Sequence, residues 1–195
     1  MIIPIQNMSW DKVWQGVDDI RDRLIRVTRI LDDAGIAYAV IGGNAVGTWV
    51  GTVDRSMIRT TTDVDLLISR SDLESVRKAL ELGGFIYQHS AASDMFLDGS
   101  RAKARDAVHA LFAGEKVRQE YEVPAPALTE SVRTEHYRVL ALEPLVLMKL
   151  TSFRRKDQVH LQDLIAVGLV DDSWPDRFAP VLAERLREIL ATPEG

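Results

Sequence analysis

Two aspartates at alternate positions, Asp63 and Asp65, are the strongest candidates for chemistry in this sequence. Apolar and polar residues alternate over residues 62–68, a pattern that predicts a β-strand. Side chains two apart in a strand share a face, so we expect the carboxylates to project together, about 7 Å apart. Such a pair favours a neutralising cation, and Mg²⁺ suits a site with few carboxylates and substrate phosphates. Two ordinary surface acids would give the same pattern.

A glycine pair precedes this strand in the chain. Residues 37–41 predict a short buried strand, which runs into Gly42, Gly43 and Asn44 and then a short helix over residues 44–50. Glycines let a phosphate approach the backbone, and a helix N-terminus offers unpaired N–H groups to an anion. The pattern by itself is also typical of a tight turn. Placed before the aspartate strand, it indicates phosphoryl or nucleotidyl transfer, which needs anchored phosphates beside metal ions.

Several further elements must position these residues. Apolar residues at helical spacing predict a long amphipathic helix over residues 9–34, with Ser9 as its cap and Gly35 at its end. A capping-box sequence from Ser71 to Glu74 predicts another helix, which Gly83 and Gly84 end. Strands are predicted over residues 85–88, 107–113, 115–121 and 137–142, a turn region over 91–100, and helices near 144–150, 156–167 and 178–190.

This order of elements predicts an α/β (or α+β) fold, in which a mixed β-sheet is flanked by helices and covered by a C-terminal helical cap. We expect a core over residues 1–142, including the N-terminal helix, and a helical region over residues 143–195 packed on it.

Composition narrows the classes of function. The chain has 195 residues, of which 46% are apolar and 27% charged, as in a globular protein. A net charge of -5 argues against a general nucleic-acid coat protein. Disulfides, thiol catalysis and cysteine zinc sites are excluded because there is no cysteine. No apolar run approaches a membrane span, and residues 1–8 lack the basic start of a signal peptide, so we predict a cytoplasmic protein without a membrane partner.

The apolar strand, the Gly-Gly pair, the helix and the acid–apolar–acid strand resemble the nucleotidyltransferase superfamily, whose fold is shared with DNA polymerase beta. Within it, Arg59, Thr61, Asp63 and Asp65 are similar to the Arg-x-Thr-x-Asp-apolar-Asp motif of the AbiEii-type abortive-infection toxins. Lys149 and the later Lys-Asp and Asp-Leu pairs also resemble that branch. The resemblance covers roughly residues 36–170.

The resemblance implies a magnesium-dependent enzyme that moves a nucleoside monophosphate from a nucleoside triphosphate to a hydroxyl group of RNA, protein or a small molecule. It implies that Asp63 and Asp65 are catalytic metal ligands, in a site that could take two Mg²⁺ ions. The implied nucleotide-binding residues are Gly42, Gly43, Asn44, Arg59, Thr61 and Lys149. A toxin-like role with an antitoxin partner is also implied.

His109 stands where the family implies a third carboxylate. A neutral imidazole brings no negative charge, but it could serve as a general base because its pKa lies near neutrality. A hydrogen-bonded histidine at the cleft edge is the alternative. Asp106 would face away from His109 in a regular strand. This departure leaves two other functions open: a nucleotide-binding module with little turnover, or a module that binds a partner or a second copy through its first helix.

Other polar residues have less specific interpretations. Arg59 could pair with Asp63 or Asp65 when no ligand is bound, and Asp157 could cap the helix that follows it. His160 and Asp163 are three apart on one helix and could pair. Two small basic clusters could bind phosphates of a nucleotide or of RNA: Arg154, Arg155 and Lys156, and Arg101, Lys103 and Arg105.

Overall fold

The computed structural model describes residues 10–90, 93–100, 102 and 107–192, with side chains from residue 19 onward. Its strands are β1 (Tyr38–Ile41), β2 (Val64–Ile68), β3 (Ile86–Ser90), β4 (Ser93–Leu97), β5 (Val108–Phe112), β6 (Ser131–Arg133) and β7 (Arg138–Leu140). Its α-helices are α1 (Trp10–Asp33), α2 (Gly42–Gly51), α3 (Leu73–Leu82), α4 (Leu142–Ser152), α5 (Arg155–Ala166) and α6 (Pro180–Ala191).

All seven strands of the described residues form one mixed sheet, in the order β3-β4-β5-β2-β1-β7-β6. The central strand β2 runs antiparallel to β1 and parallel to β5. All four residues of β1 are buried, as are four of the five in β2, because the centre of the sheet is covered on both faces. The exception in β2 is Asp65. The predicted mixed sheet flanked by helices is confirmed.

The helices pack in two groups around this sheet. Helix α1 contacts α3 and β2, and it buries Leu24, Val27 and Leu31 at the spacing of one helical face. Helix α2 contacts β1 and β2, and also α4 and α5, so it joins the sheet to the C-terminal helices. Helices α4, α5 and α6 contact one another. The predicted division after residue 142 falls at the first residue of α4 and stays a prediction.

Among the helices of the described residues, none combines the length and apolar character that crossing a bilayer requires.

Two local predictions were wrong. The capping box at Ser71 does not form, because Ser71 Oγ bonds to Ser69 Oγ at 2.8 Å and a 3₁₀ turn precedes α3. Residues 115–121 form a loop instead of a strand. Its two ends are tied by backbone hydrogen bonds from Ala125 N to Glu115 O, 2.9 Å, and from Gly114 N to Ala125 O, 3.0 Å.

Strand limits also differ from prediction. Residues 93–97 of the predicted turn region form β4, which pairs with both β3 and β5 and so replaces local turn preference with sheet pairing. The short strand β6 was not predicted; it is only three residues long and pairs with β7. Ser9, Asp106 and the basic residues Arg101, Lys103 and Arg105 lie outside the described residues.

Candidate active site

A cleft of about 810 Å³ opens where β1, β2 and the start of α2 face α4 and α5. Sites for small molecules typically measure about 300–1,000 Å³, so the cleft has room for a nucleotide. Six of the predicted site residues line it: Gly42, Gly43, Thr61, Asp63, Asp65 and Lys149. The other three, Asn44, Arg59 and His109, are not among its lining residues.

Gly42 and Asp65 face each other across the β1–β2 pair, where Ile41 is opposite Asp65. Gly42 has a φ of +69°, which favours glycine. A Cβ atom at Gly42 would lie 2.8 Å from Cγ and 2.9 Å from Cβ of Asp65, closer than real atoms approach. Gly42 therefore leaves the space that the Asp65 carboxylate occupies. The glycine pair forms the first residues of α2 instead of a turn before it.

Asp63 lies one residue before β2, so the sheet alone does not hold it. Its backbone carbonyl accepts a hydrogen bond of 2.7 Å from Asn44 Nδ2. Its carboxylate Oδ1 accepts one of 2.8 Å from Thr62 Oγ1. Asn44 thus ties the first turn of α2 to the segment that carries Asp63, while Asp63 and Asp65 both border the cleft.

The electrostatics of Asp65 fit a cation. Burial raises the pKa of Asp65, and the neighbouring Asp63 raises it further, whereas the neighbouring His109, Lys149 and Lys156 oppose the rise. A divalent ion at the two carboxylates would neutralise both of them. Among the described residues, no group of three or more His, Asp or Glu side chains is arranged to hold a metal ion. Two carboxylates fit Mg²⁺, which typically binds one or two protein carboxylates together with substrate phosphates and water.

His109 occupies β5 directly beside Asp65, in the parallel register of β2 and β5. The structure therefore places His109 on the strand next to Asp65, as the sequence predicted. The imidazole is partly buried and is flanked on its other side by Met95 of β4.

Lys149 and Asp157 form a buried ion pair in the cleft wall. Lys149 is 5% exposed and Asp157 0%, and Lys149 Nζ lies 3.2 Å from Asp157 Oδ1. Asp157 Oδ2 also accepts hydrogen bonds from Ser152 Oγ at 2.8 Å and Arg154 Nε at 2.7 Å. Although burial raises it, the pKa of Asp157 is lowered to about 2 by the Arg154 hydrogen bond, the Lys149 charge and the Ser152 hydrogen bond. Burial lowers the pKa of Lys149, and the charge of Asp157 opposes that effect.

Asp157 also caps α5, as expected, because its Oδ2 accepts a hydrogen bond of 3.2 Å from Arg154 N. The suggested pairing of His160 with Asp163 is absent from the described hydrogen bonds: Asp163 accepts from Arg59 Nε at 2.7 and 2.9 Å. Arg59 therefore pairs with Asp163 and not with Asp63 or Asp65.

Other residues line the cleft that the sequence did not single out for it. His160 borders it, and burial followed by the charge of Lys149 lowers the pKa of His160 to about 4. The far wall is built by the loop between Glu115 and Ala125, which contributes Arg118, Tyr121 and three apolar side chains: Val117, Val123 and Pro124. No spacing in the sequence marks this loop. Its end at Ala125 is held beside the end of β5 by backbone hydrogen bonds with Gly114 and Glu115.

The arrangement was compared with known proteins. Neither a protein-family model nor a curated protein sequence matches the chain. A nucleotidyltransferase-like protein from Paracoccidioides brasiliensis superposes with a TM-score of 0.58 at 18% identity, over 92% of this chain and 91% of that one. The antibiotic-resistance factor ANT(2'')-Ia superposes with a TM-score of 0.53 at 12% identity, over 90% and 91%. At these identities the likeness concerns the fold, and the chain has the nucleotidyltransferase fold.

Proposed function

We propose that this protein is a magnesium-dependent nucleotidyltransferase, which transfers a nucleoside monophosphate from a nucleoside triphosphate to a hydroxyl acceptor. The observation that supports this function most is the meeting of two carboxylates, a helix N-terminus and a buried lysine on one cleft. Each of these features comes from a different part of the chain, which makes a chance cluster of ordinary surface residues a poor explanation.

In this proposal Asp63 and Asp65 hold the metal. Mg²⁺, when bound, would offset the negative charge of the phosphates and of the transition state. The partial burial of Asp65 makes its negative charge unfavourable without a cation, which favours binding of a metal–nucleotide complex. His109 opposes this effect from the adjacent strand and so favours the ionised carboxylate. To act as the predicted general base, His109 would have to reach the acceptor hydroxyl, but His109 does not line the cleft.

The phosphates would lie against the first turn of α2. Ile41, the residue before the helix, has no side chain that could cap it, so the N–H groups of Gly42 and Gly43 can face an anion. Thr61 lies against Gly43 and borders the same part of the cleft. Lys149 approaches from α4, and its charge also acts on Asp65. We assign to it the predicted contact with the nucleotide.

The reaction forms a bond between the acceptor oxygen and the α-phosphorus. The bond from that phosphorus to the oxygen bridging to the β-phosphate breaks, and pyrophosphate leaves. The hydroxyl proton passes to solvent or to a nearby base. The chain contributes position and electrostatic stabilisation, which are the main protein contributions in such transfers.

RNA is the acceptor that the cleft favours among those the sequence allowed. Arg118, Arg154 and Lys156 line the cleft together with Tyr121. Positive side chains attract the phosphates of RNA, and an aromatic ring offers a surface on which a base can stack. A toxin-like role with an antitoxin partner rests on the resemblance of the motif from Arg59 to Asp65. The cytoplasmic location stays a prediction from the sequence.

A nucleotide-binding module with little turnover is the second candidate. It is favoured by one observation, the presence of His109 beside Asp65 in place of a carboxylate. Both candidates predict metal-dependent nucleotide binding, but only the first predicts release of pyrophosphate.

Labelled transfer tests the proposed function directly. The protein would be incubated with Mg²⁺, each of the four α-³²P-labelled ribonucleoside triphosphates, and either total cellular RNA, total cellular protein or a small-molecule extract. We expect pyrophosphate release and label on the RNA, with both lost in Asp63→Ala. Nucleotide binding without pyrophosphate in any mixture would support the module instead. Absence of both binding and transfer would overturn both candidates.

A further inference from the structure

An ion pair joins the loop before the aspartate strand to the C-terminal helices. Arg59 Nε donates to both carboxylate oxygens of Asp163 in α5, at 2.7 and 2.9 Å. Asp163 is only 4% exposed, while the side chain of Arg59 is 64% exposed. A carboxylate this deeply buried requires a charged or hydrogen-bonding partner. Arg59 therefore fixes the loop to α5 at a definite point.

The same loop also packs directly on the backbone of α2. Gly43, Gly47 and Gly51 are spaced four apart, so they share one face of the helix. A Cβ at Gly51 would lie 2.9 Å from Ile58 Cδ1, and one at Gly47 would lie 3.3 Å from Ile58 Cγ2. A Cβ at Gly43 would lie 2.9 Å from Thr61 Oγ1. The loop thus packs on this glycine face through residues on both sides of Arg59.

These anchors matter for Asp63 in particular. Asp65 is held by β2, which is paired on both sides. Asp63 precedes the strand and follows Arg59 by only four residues, so its position depends on the path of the loop. We infer that Arg59 is a positioning residue: by binding Asp163 it holds the loop so that the Asp63 carboxylate lies beside that of Asp65. The inference rests on the proposed function, because it concerns the metal–nucleotide site.

Direct contact between Arg59 and a phosphate, the role that the resemblance implies, makes the opposite prediction for Asp163. Removing the Asp163 charge would release Arg59 and leave or strengthen its hold on a phosphate. If Arg59 acts through the ion pair, loss of either partner produces the same defect. The two roles can therefore be separated without knowledge of the acceptor.

The test compares Arg59→Gln, Asp163→Asn and the double variant with the wild type in calorimetric titrations. The probes are Mn²⁺ alone and each of the four ribonucleoside triphosphates in EDTA. We expect each single variant to weaken Mn²⁺ binding, by no more than the about 10-fold to 100-fold that loss of a direct hydrogen-bond partner of a metal ligand typically causes. The double variant should be no weaker than either single one. Triphosphate affinity in EDTA should not change.

Arg55→Gln is the matched control, because Arg55 is an exposed arginine of the same loop, four residues before Arg59. It should bind Mn²⁺ like the wild type. Loss of triphosphate affinity in EDTA for Arg59→Gln, with Asp163→Asn unaffected, would overturn the positioning role in favour of direct contact.

Hydrogen–deuterium exchange separates this inference from the proposed function. Residues 60–63 should exchange faster in Arg59→Gln and Asp163→Asn, but not in Arg55→Gln. Unchanged exchange would overturn the positioning role even if the wild type transfers nucleotides. Faster exchange in a protein that binds neither Mn²⁺ nor a triphosphate would reject the proposed function and, with it, a role for the ion pair in catalysis. If Asp163→Asn does not fold, exchange in Arg59→Gln decides the question.

Discussion

The side chain of Asp65 occupies the space that any side chain in place of Gly42 would need. The glycine has a φ of +69°, and a Cβ there would come within 2.8 Å of Cγ of Asp65. The residue that begins α2 is therefore the one that makes room for a carboxylate on the neighbouring strand. The glycine pair and the aspartate pair, which are separate features of the sequence, form one piece of structure.

Gly42→Ala should destabilise the protein and weaken nucleotide binding, because the new methyl group displaces Asp65. Gly35→Ala is the matched control: Gly35 has a φ of +66°, but a Cβ there meets no atom within 4 Å. The control should lose only the stability of about 1–2 kcal/mol that a left-handed backbone costs a residue other than glycine. Urea unfolding measures both variants. Equal losses for the two would contradict the collision with Asp65.

Asp65→Asn should raise the melting temperature in the absence of divalent ions. Burial raises the pKa of Asp65 above its usual 3.8, so the folded state is destabilised by its charge at pH 7. This penalty is present above the raised folded pKa and vanishes below pH 3.8, so the advantage of the variant should disappear in acid. In a chain of this size each 1 kcal/mol shifts the melting temperature by about 2–4 °C. Melting curves from pH 3 to 8 test this.

Divalent ions should reverse that order. If Asp63 and Asp65 hold Mg²⁺, the ion should stabilise the folded wild type, whereas Asp65→Asn lacks the charge that attracts the ion. A wild-type protein that Mg²⁺ does not stabilise at any concentration would argue against the metal site.

Asp157→Ala should be among the most destabilising substitutions in the chain. It leaves Lys149 buried without its partner, a change that typically costs about 3–5 kcal/mol. The exposed pair of Arg77 and Glu81 provides the comparison, since Arg77→Ala should change the stability far less. The contribution of Asp157 to stability is present above pH 3.8 and is lost as the pH falls through about 2. A loss below 1 kcal/mol in denaturant unfolding would contradict the buried pair.

His160 should stay neutral throughout the physiological range, because burial and the charge of Lys149 lower its pKa to about 4. Its NMR signals, identified by their absence in His160→Gln, should not move between pH 8 and pH 5. Since the unfolded state binds the proton below about pH 6.5, wild-type stability should fall between pH 6.5 and pH 4 more steeply than that of His160→Gln. A titration of His160 near pH 6.5 would show that it is exposed to solvent.

The parts of the site that local pattern defines could be predicted from sequence. The strand–glycine–helix segment and the Asp63–Asp65 spacing lie within about thirty consecutive residues. The periodicity of apolar residues predicts such local elements well. The helix spacing around Lys149 likewise predicted α4. Sheet pairing explains part of what was missed: β4 and β6 are strands because neighbouring strands pair with them.

The partners of the charged residues could not be predicted, because they depend on packing between distant elements. Arg59 and Asp163 are 104 positions apart, and nothing in the local sequence distinguishes Asp163 from Asp63 as the partner of Arg59. The residues of the far wall of the cleft could not be predicted for the same reason. Tyr121 and Arg118 border it because backbone bonds close their loop, and loop closure leaves no periodic signal in the sequence.

The most direct test of the account is a calorimetric titration of the wild type with each ribonucleoside triphosphate in Mg²⁺, beside Asp63→Ala/Asp65→Ala. The exposed aspartates Asp19 and Asp22 of α1 supply a double-alanine control with the same change in charge. We predict that at least one triphosphate binds the wild type and the control in Mg²⁺, that the site variant loses this Mg²⁺-dependent binding, and that the wild type binds more weakly in EDTA. Equal binding by the site variant and the wild type would contradict a nucleotide site built on Asp63 and Asp65.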